Sequence, residues 1–312
     1  MRPRFPAVVA PAVAVVFACA PAPATAQAFT APQGVGTVTI ASQVVDNTGH
    51  RMSDGFLLER GPSVTSSVLV EAEYAFTDRL SVTAGVPYVF ARYSGTLPSL
   101  SGLPHDECRC WQSSFQDFTA SARYRTGNDV WAITPLVRFG VPSHAYPYVG
   151  EAVVGRKLRE AQVGVSAGLR LVNVLPKASL QTTYTYSFVE KPLEDVDINR
   201  SNGAFDFGYY ITRQFFVRGG GLVQRTHGGL RAGSVTGNPF PFPGELAPIG
   251  GSRYAQRDRV LRSNYWQVGG GLSYTVGAVD LFASVMKYVS GTDSHNGQVY
   301  TFGSSWYFDL RD

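Results

Sequence analysis

Charge is scarce in this sequence. Only 16% of its 312 residues are Asp, Glu, Lys or Arg, against roughly 25% in ordinary soluble domains. Lysine is nearly missing, with residues 157, 177, 191 and 287 the only ones, so the basic charge is almost all arginine. The formal net charge is +4 and no basic run stands out, which speaks against a nucleic-acid partner. There are only 3 cysteines and 3 methionines. Long apolar runs are also missing: beyond residue 26 no uninterrupted stretch approaches the roughly 18 residues that a membrane helix needs. Against these shortages stand 33 glycines and 12% aromatics, a combination that disfavours disorder, coiled coils and helical bundles.

The first 26 residues belong to a different grammar. Arg2 and Arg4 form a basic start, Ala7 to Ala20 an apolar stretch, and Ala24-Thr25-Ala26 a small-residue cleavage signal before Gln27. That is the pattern of a secretory leader, so 1–26 reads as a signal peptide and 27–312 as the exported domain. Cys19 leaves with the leader. A lipoprotein signal at Val16-Phe17-Ala18-Cys19 is poorly served by Phe17. Without Arg2 and Arg4 the net charge falls to +2.

The dominant signal of the exported chain is period-two alternation, which sends successive side chains to opposite faces of a strand. From Leu80 to Phe90 the even positions are apolar and the odd ones mostly small or polar. Before them, Val64, Ser66, Val68, Val70, Ala72, Tyr74 and Phe76 share one face, and Thr65, Ser67, Leu69, Glu71 and Glu73 the other. Only Thr77-Asp78-Arg79 separates the two runs, a tight hairpin. Twelve strands are read this way: 35–46, 63–76, 80–92, 115–126, 130–141, 158–172, 178–189, 201–211, 214–226, 263–276, 279–290 and 298–310. The links after even-numbered strands are short. Those after odd-numbered ones are mostly long: 47–62, 93–114, 142–157, 190–200 and 227–262, with 291–297 the shortest.

An even number of strands with short turns at one rim and long loops at the other describes an all-β fold, the closed antiparallel transmembrane β-barrel with periplasmic turns and extracellular loops. A chain that crosses lipid without helices has only this option, because every backbone donor and acceptor must be paired inside the bilayer. Aromatics sit at both ends of the apolar faces. Tyr74, Phe76, Tyr124, Trp131, Phe207, Tyr209, Tyr274, Trp306 and Phe308 lie beside the short turns; Tyr88, Phe90, Phe139, Tyr186, Phe188 and Trp266 lie towards the long loops. Two such belts are what membrane interfaces select. A soluble sandwich or barrel would alternate similarly, but it gives no reason for the belts or the loop asymmetry. Strand 279–290 is the least regular, since Lys287 shares the parity of Val279, Leu281, Ala283 and Val285. Either Lys287 sits near the outer rim or the phase slips there.

The opposite faces hold most of the strand charge: Glu71, Glu73, Asp117, Arg123, Arg125, Arg138, Glu160, Arg170, Asp206 and Arg218. An arginine facing lipid at mid-depth would cost about 2–4 kcal/mol, so these residues are expected to line the lumen. Twelve strands about 4.8 Å apart and tilted about 40° give a backbone diameter of roughly 24 Å, with about 10 Å left between side chains. The mixed charges have two readings: a water-filled pore for small solutes, or cross-lumen salt bridges that close a structural barrel used for surface contacts.

The loops hold three further candidates. His105, Asp106, Glu107, Cys108 and Cys110 concentrate metal-capable groups, but one C-x-C lacks the paired spacing of zinc sites. A local disulfide or plain loop residues are the alternatives, and no metal or cofactor is expected. Ser294-His295-Asn296 holds the residue types of a twelve-stranded outer-membrane phospholipase, yet a nucleophile and base must meet in hydrogen-bond geometry; no enzyme is expected. The run Asn238-Pro-Phe-Pro-Phe-Pro-Gly244 would fold over the mouth or pack on neighbouring loops.

Residues 71–90, EAEYAFTDRLSVTAGVPYVF, carry a hairpin of the form aromatic, Thr-Asp-Arg-Leu, then a strand ending in Pro-Tyr. With Gln116-Asp117, Ala122-Arg123-Tyr124-Arg125 and Phe139-Gly-Val-Pro142-Ser143, this stretch resembles a family of outer-membrane barrels described as transporters of the phenol meta-degradation pathway. The match covers about 64–145, and the rest agrees only in hairpin spacing. The resemblance implies passage of small, aromatic or hydrophobic compounds through an outer-membrane barrel. It implies no catalytic residues, because its motifs mark hairpins.

Overall fold

The computed structural model describes residues 28–59, 62–95, 103–233, 244–246 and 251–311. The leader reading at 1–26 and most of the Pro/Phe run, Asn238–Pro243, lie outside them. The described residues form twelve long antiparallel strands: β1 (Val35–Arg51), β2 (Ser63–Ala75), β3 (Leu80–Tyr93), β4 (Asp117–Tyr124), β5 (Trp131–Pro142), β6 (Glu160–Arg170), β7 (Ala178–Val189), β8 (Ile198–Tyr210), β9 (Phe215–Gly228), β10 (Asn264–Val276), β11 (Val279–Thr292) and β12 (Ser294–Asp309). Gln112–Phe115 and Thr126–Gly127 extend β4 at its two ends, and Leu57–Leu58 adds a short pairing to β1. Each strand pairs with the next, and β12 pairs with β1 from Val35 opposite Asp309 to Arg51 opposite Ser294. The sheet is closed and has no free edge.

Burial is inverted relative to a soluble protein. Phe139 is 56% exposed, Leu272 46% and Val165 40%, whereas Thr134, Ser67, Ser81, Ser166 and Gln43 are buried. Large side chains normally sort the other way, and an apolar surface of this extent needs a partner. A lipid bilayer is that partner. Inside, hydroxyls and amides bond between neighbouring strands: Gln43 to Thr301 (3.2 Å), Thr39 to Ser305 (2.8 Å), Gln162 to Ser187 (2.9 Å) and Ser166 to Thr183 (2.8 Å).

Three of the short turns share one device. The Thr77 hydroxyl accepts the amides of Arg79 and Leu80, the Asn128 side chain those of Val130 and Trp131, and the Thr212 hydroxyl those of Gln214 and Phe215. A short oxygen-bearing side chain thus replaces a backbone acceptor at each tip. Gly277 reaches φ 60° in the two-residue turn between Val276 and Val279, a conformation that glycine adopts without steric cost.

At the long-loop end the strands outrun the sequence expectation. β1 continues to Arg51, and the expected loop 291–297 is almost all strand, interrupted only by Asp293. Alternation fades there because both faces leave lipid, so Asn47, Gly49, Asn296 and Gly297 carry no apolar stripe. β11 and β12 pair only as far as Lys287 opposite Gln298. Above that they part, β11 following β10 and β12 following β1. Asp293 sits in the fork, its carboxylate accepting from the Ser53 hydroxyl (2.6 Å) and the Ala232 amide (2.7 Å). Lys287 keeps the outward parity and is exposed; the slip comes just beyond it, where a bulge leaves Val289 unpaired between Tyr288 and Ser290.

The two faces predict opposite responses to charge. Val165→Arg, outward at mid-strand in β6, should cost about 2–4 kcal/mol in equilibrium unfolding from lipid vesicles. Ser166→Arg, one residue on and facing inward, should cost less than half as much; equal losses would contradict the assignment of faces.

Candidate functional site: the lumen

The alternation carries one side chain of every pair into the lumen, so the wall is assembled from many strands rather than from one motif. A cavity of about 90 Å³ lies within it, lined by Glu71, Glu73, Arg123, Arg138, Gln162, Ser166 and other small polar side chains, with Leu136 the one aliphatic member. Glu73 and Arg123 form an ion pair, as do Glu160 and Arg200. Asp206 and Arg218 approach to 3.9 Å. Arg138 and Arg170 make no salt bridge among the described residues. Arg125 pairs instead with Asp129 (2.9 Å), at the adjoining turn, and Asp117 accepts from the Tyr146 hydroxyl. Of the ten charged residues read from the sequence, four therefore meet around the cavity, while Asp117, Arg125, Glu160, Arg170, Asp206 and Arg218 do not line it.

Three features were not read from the sequence. Arg200 lies just outside the expected strand 201–211, although its parity with Asp206 would have placed it inward. The loop between β5 and β6 folds into the barrel mouth: Tyr146 and Val154 are buried against Val89, and Ala152 against Ala91 and Tyr93. The signal for this contact was the unbroken apolar run Tyr88-Val-Phe-Ala91, since a strand apolar on both faces is covered on both. Thirdly, the segment preceding β1 enters the lumen from the turn side. The Ala28 amide donates to Gln181 Oε1 (3.0 Å), the Thr134 hydroxyl donates to the Ala28 carbonyl (2.5 Å), and the Phe29 ring lies against Arg170 and Arg125.

Loops close over the opposite end. Leu158, Val196, Ile198, Leu246, Tyr254 and Val260 form a small apolar core there, built from three loops and the start of β8. The short helices α1 (Ser252–Ala255) and α2 (Arg257–Val260) supply its charged partners. Arg257 and Glu151, each with a side chain only 7% exposed, approach to 3.5 Å, and the Glu151 amide donates to Asp106. Asp258 faces His295 at 3.7 Å, and the His295 ring lies tilted against that of His50, centroids 4.8 Å apart. Burial alone would push the Asp258 carboxyl up; His295, Arg257 and His50 outweigh it and hold it at about 2.

Cys108 and Cys110 are joined in a disulfide, so the thiols needed for the metal reading are consumed. Among the described residues no cluster of three or more His, Cys, Asp or Glu could hold a metal. Among the described residues Ser294 Oγ has no hydrogen-bond partner, and His295 Nδ1 pairs with Asn47 (2.7 Å). Ser294 and His295 are thus not joined as nucleophile and base.

Neither a family model nor a curated protein matches this chain. Solved structures do. An outer-membrane channel from Pseudomonas putida F1 superposes with a TM-score of 0.65 at 11% identity, over 90% of this chain and 97% of that one. The fold is that of an outer-membrane β-barrel. The translocator domain of the autotransporter NalP from Neisseria meningitidis gives 0.52 at 10% identity, over 89% of this chain and 90% of that one. At such identities the likeness is one of fold alone, and these two barrels serve different ends.

Two outcomes follow for the charged groups. Arg123→Ala strands the Glu73 carboxylate and should cost about 1–3 kcal/mol in urea unfolding; Glu73→Gln in the same chain should restore part of it, and an unchanged midpoint in the single variant would remove the pair from the account. The Asp258 carboxyl titrates below its ordinary value, so its contribution is complete above about pH 4 and is lost as pH falls through about 2, on the order of 2 kcal/mol. Limited pepsin digestion should cut within 251–263 faster at pH 2 than at pH 4, and Asp258→Asn should abolish that difference.

Proposed function

We propose that this chain is an outer-membrane channel that passes small solutes passively, exported with removal of residues 1–26 and held in the bilayer by its apolar outer face. The course of the ion pairs supports this reading. Glu73 on β2 reaches Arg123 on β4, and Glu160 on β6 reaches Arg200 on β8, each across one intervening strand; Asp206 and Arg218 sit on adjacent strands. Two strand spacings amount to about 10 Å, less than half the roughly 24 Å diameter of a twelve-stranded barrel at 40° tilt. These three pairs therefore run along the wall, and among the described residues none of them bridges the middle of the lumen. A structural barrel closed by salt bridges would join opposite walls.

The fold shared with a Pseudomonas putida channel supports the same reading. The resemblance of residues 64–145 to transporters of the phenol meta-degradation pathway extends it to small aromatic or hydrophobic compounds as the solute class.

Arg138 carries the test, as a cation on the cavity wall without a salt bridge among the described residues. Purified protein in a planar bilayer should show unitary current steps, and Arg138→Glu should move the cation-to-anion permeability ratio severalfold towards cations, measured as a reversal potential in a KCl gradient. A protein that inserts without current, or a ratio indifferent to Arg138→Glu, would contradict the channel reading.

A further inference from the structure

The segment entering the lumen occupies what has the form of a ligand site. Phe29 places its ring 4.6 Å from the Arg170 guanidinium carbon and 5.6 Å from that of Arg125. The backbone beside it is held at both polar groups, the Ala28 amide by Gln181 and the Ala28 carbonyl by the buried Thr134 hydroxyl. Gly168 makes the approach feasible: a Cβ there would lie 2.7 Å from the Ala28 Cβ and 2.8 Å from the Phe29 ring. Two arginines, a hydroxyl donor and an amide acceptor thus converge on one aromatic ring and its flanking peptide.

The occupant satisfies this site only in part. An aromatic ring attracts the two guanidiniums through its face, but carries no charge. Arg125 has Asp129 as a counter-ion. Arg170 has none among the described residues, and of these only Phe29 engages its side chain. A ligand with the same ring and a carboxylate would keep the stacking, take the Thr134 hydroxyl as donor and supply the missing anion, and a charge-assisted hydrogen bond to arginine exceeds a neutral one about twofold.

We propose that Arg170, Arg125, Thr134 and Gln181 form a lumenal binding site for small aromatic carboxylates, and that Phe29 occupies it as a tethered stand-in that such a solute must displace. The inference rests on the channel reading for its biological use, but the site itself is a matter of binding. A tethered competitor lowers the apparent affinity of a free ligand by the fraction of time the site is vacant. Removing the Phe29 ring should therefore tighten binding without adding any contact.

The test is calorimetric titration of benzoate into the mature protein in detergent or nanodiscs, each variant checked for folding by heat-modifiable migration. Phe29→Ala should bind benzoate at least tenfold more tightly than the unaltered chain. Adding Arg170→Ala should reverse that gain. Gly168→Ala, which presses on the segment without touching either arginine, should reproduce it in a second way. Equal affinity of the unaltered chain and Phe29→Ala, no binding to either opened variant, or indifference to Arg170→Ala would overturn the site. Current recorded from the same preparations separates the two readings: binding without current removes the channel and keeps the site, and current without binding does the reverse.

Discussion

The pairing of the first strand with the last is the contact on which the rest of the molecule depends. Lipid offers backbone amides and carbonyls no partner, and an unpaired group there costs several kcal/mol. The register from Val35 opposite Asp309 to Arg51 opposite Ser294 removes the two edges an open sheet of twelve strands would expose. Once the sheet is closed, each side chain has only two places to go. The outward set must tolerate acyl chains, and the inward set must fill or hydrate a tube. The low charge of the sequence and the inverted burial of Phe139 and Thr134 are two views of that single constraint.

Within the tube, three ion pairs run sideways along the wall, Glu73–Arg123, Glu160–Arg200 and Asp206–Arg218. Two of them reach over one neighbouring strand and the third joins adjacent strands, so all three lie along the inner surface. Closure comes from elsewhere and differs at the two ends. At the loop end, an apolar core and the buried Arg257–Glu151 pair tie three loops together, while Asp293 fastens the fork between β11 and β12 to residues Ser53 and Ala232. At the turn end, the closing element is a single strand of chain held by Phe29 and the two polar groups of Ala28. The first arrangement joins many buried contacts; the second hangs on a few side chains, the kind of local contact that opens with a small free energy.

The barrel was legible in the sequence because lipid and lumen impose a period of two along every strand. Ala178–Val189 falls where the alternation puts it, and the other strands agree within a few residues. Legibility stopped where the membrane stops. β1 runs five residues past its expected end, and β12 begins four residues early, since polar strands above the bilayer have no apolar stripe to announce them. The charged residues of the inner face could be sorted by parity, but parity says nothing about partners: Glu73 and Arg123 lie fifty residues apart, and Arg200 escaped through a strand boundary. Loop packing was least visible. The Val89 side of β3 hinted at a cover, whereas the segment at Ala28 and Phe29 carries no periodicity and its place in the lumen emerges only from the folded tube.

The most direct test of a wall with one face in lipid and one in water is thiol accessibility along β6 in sealed vesicles. With Cys108 and Cys110 joined in a disulfide and Cys19 replaced by serine, an introduced cysteine is the reactive thiol. At Gln162 and Ser166 a membrane-impermeant, water-soluble reagent should react, and at the alternating positions Val163 and Val165 it should not. Equal labelling at both sets would contradict the membrane barrel, and labelling at neither would contradict a water-filled lumen.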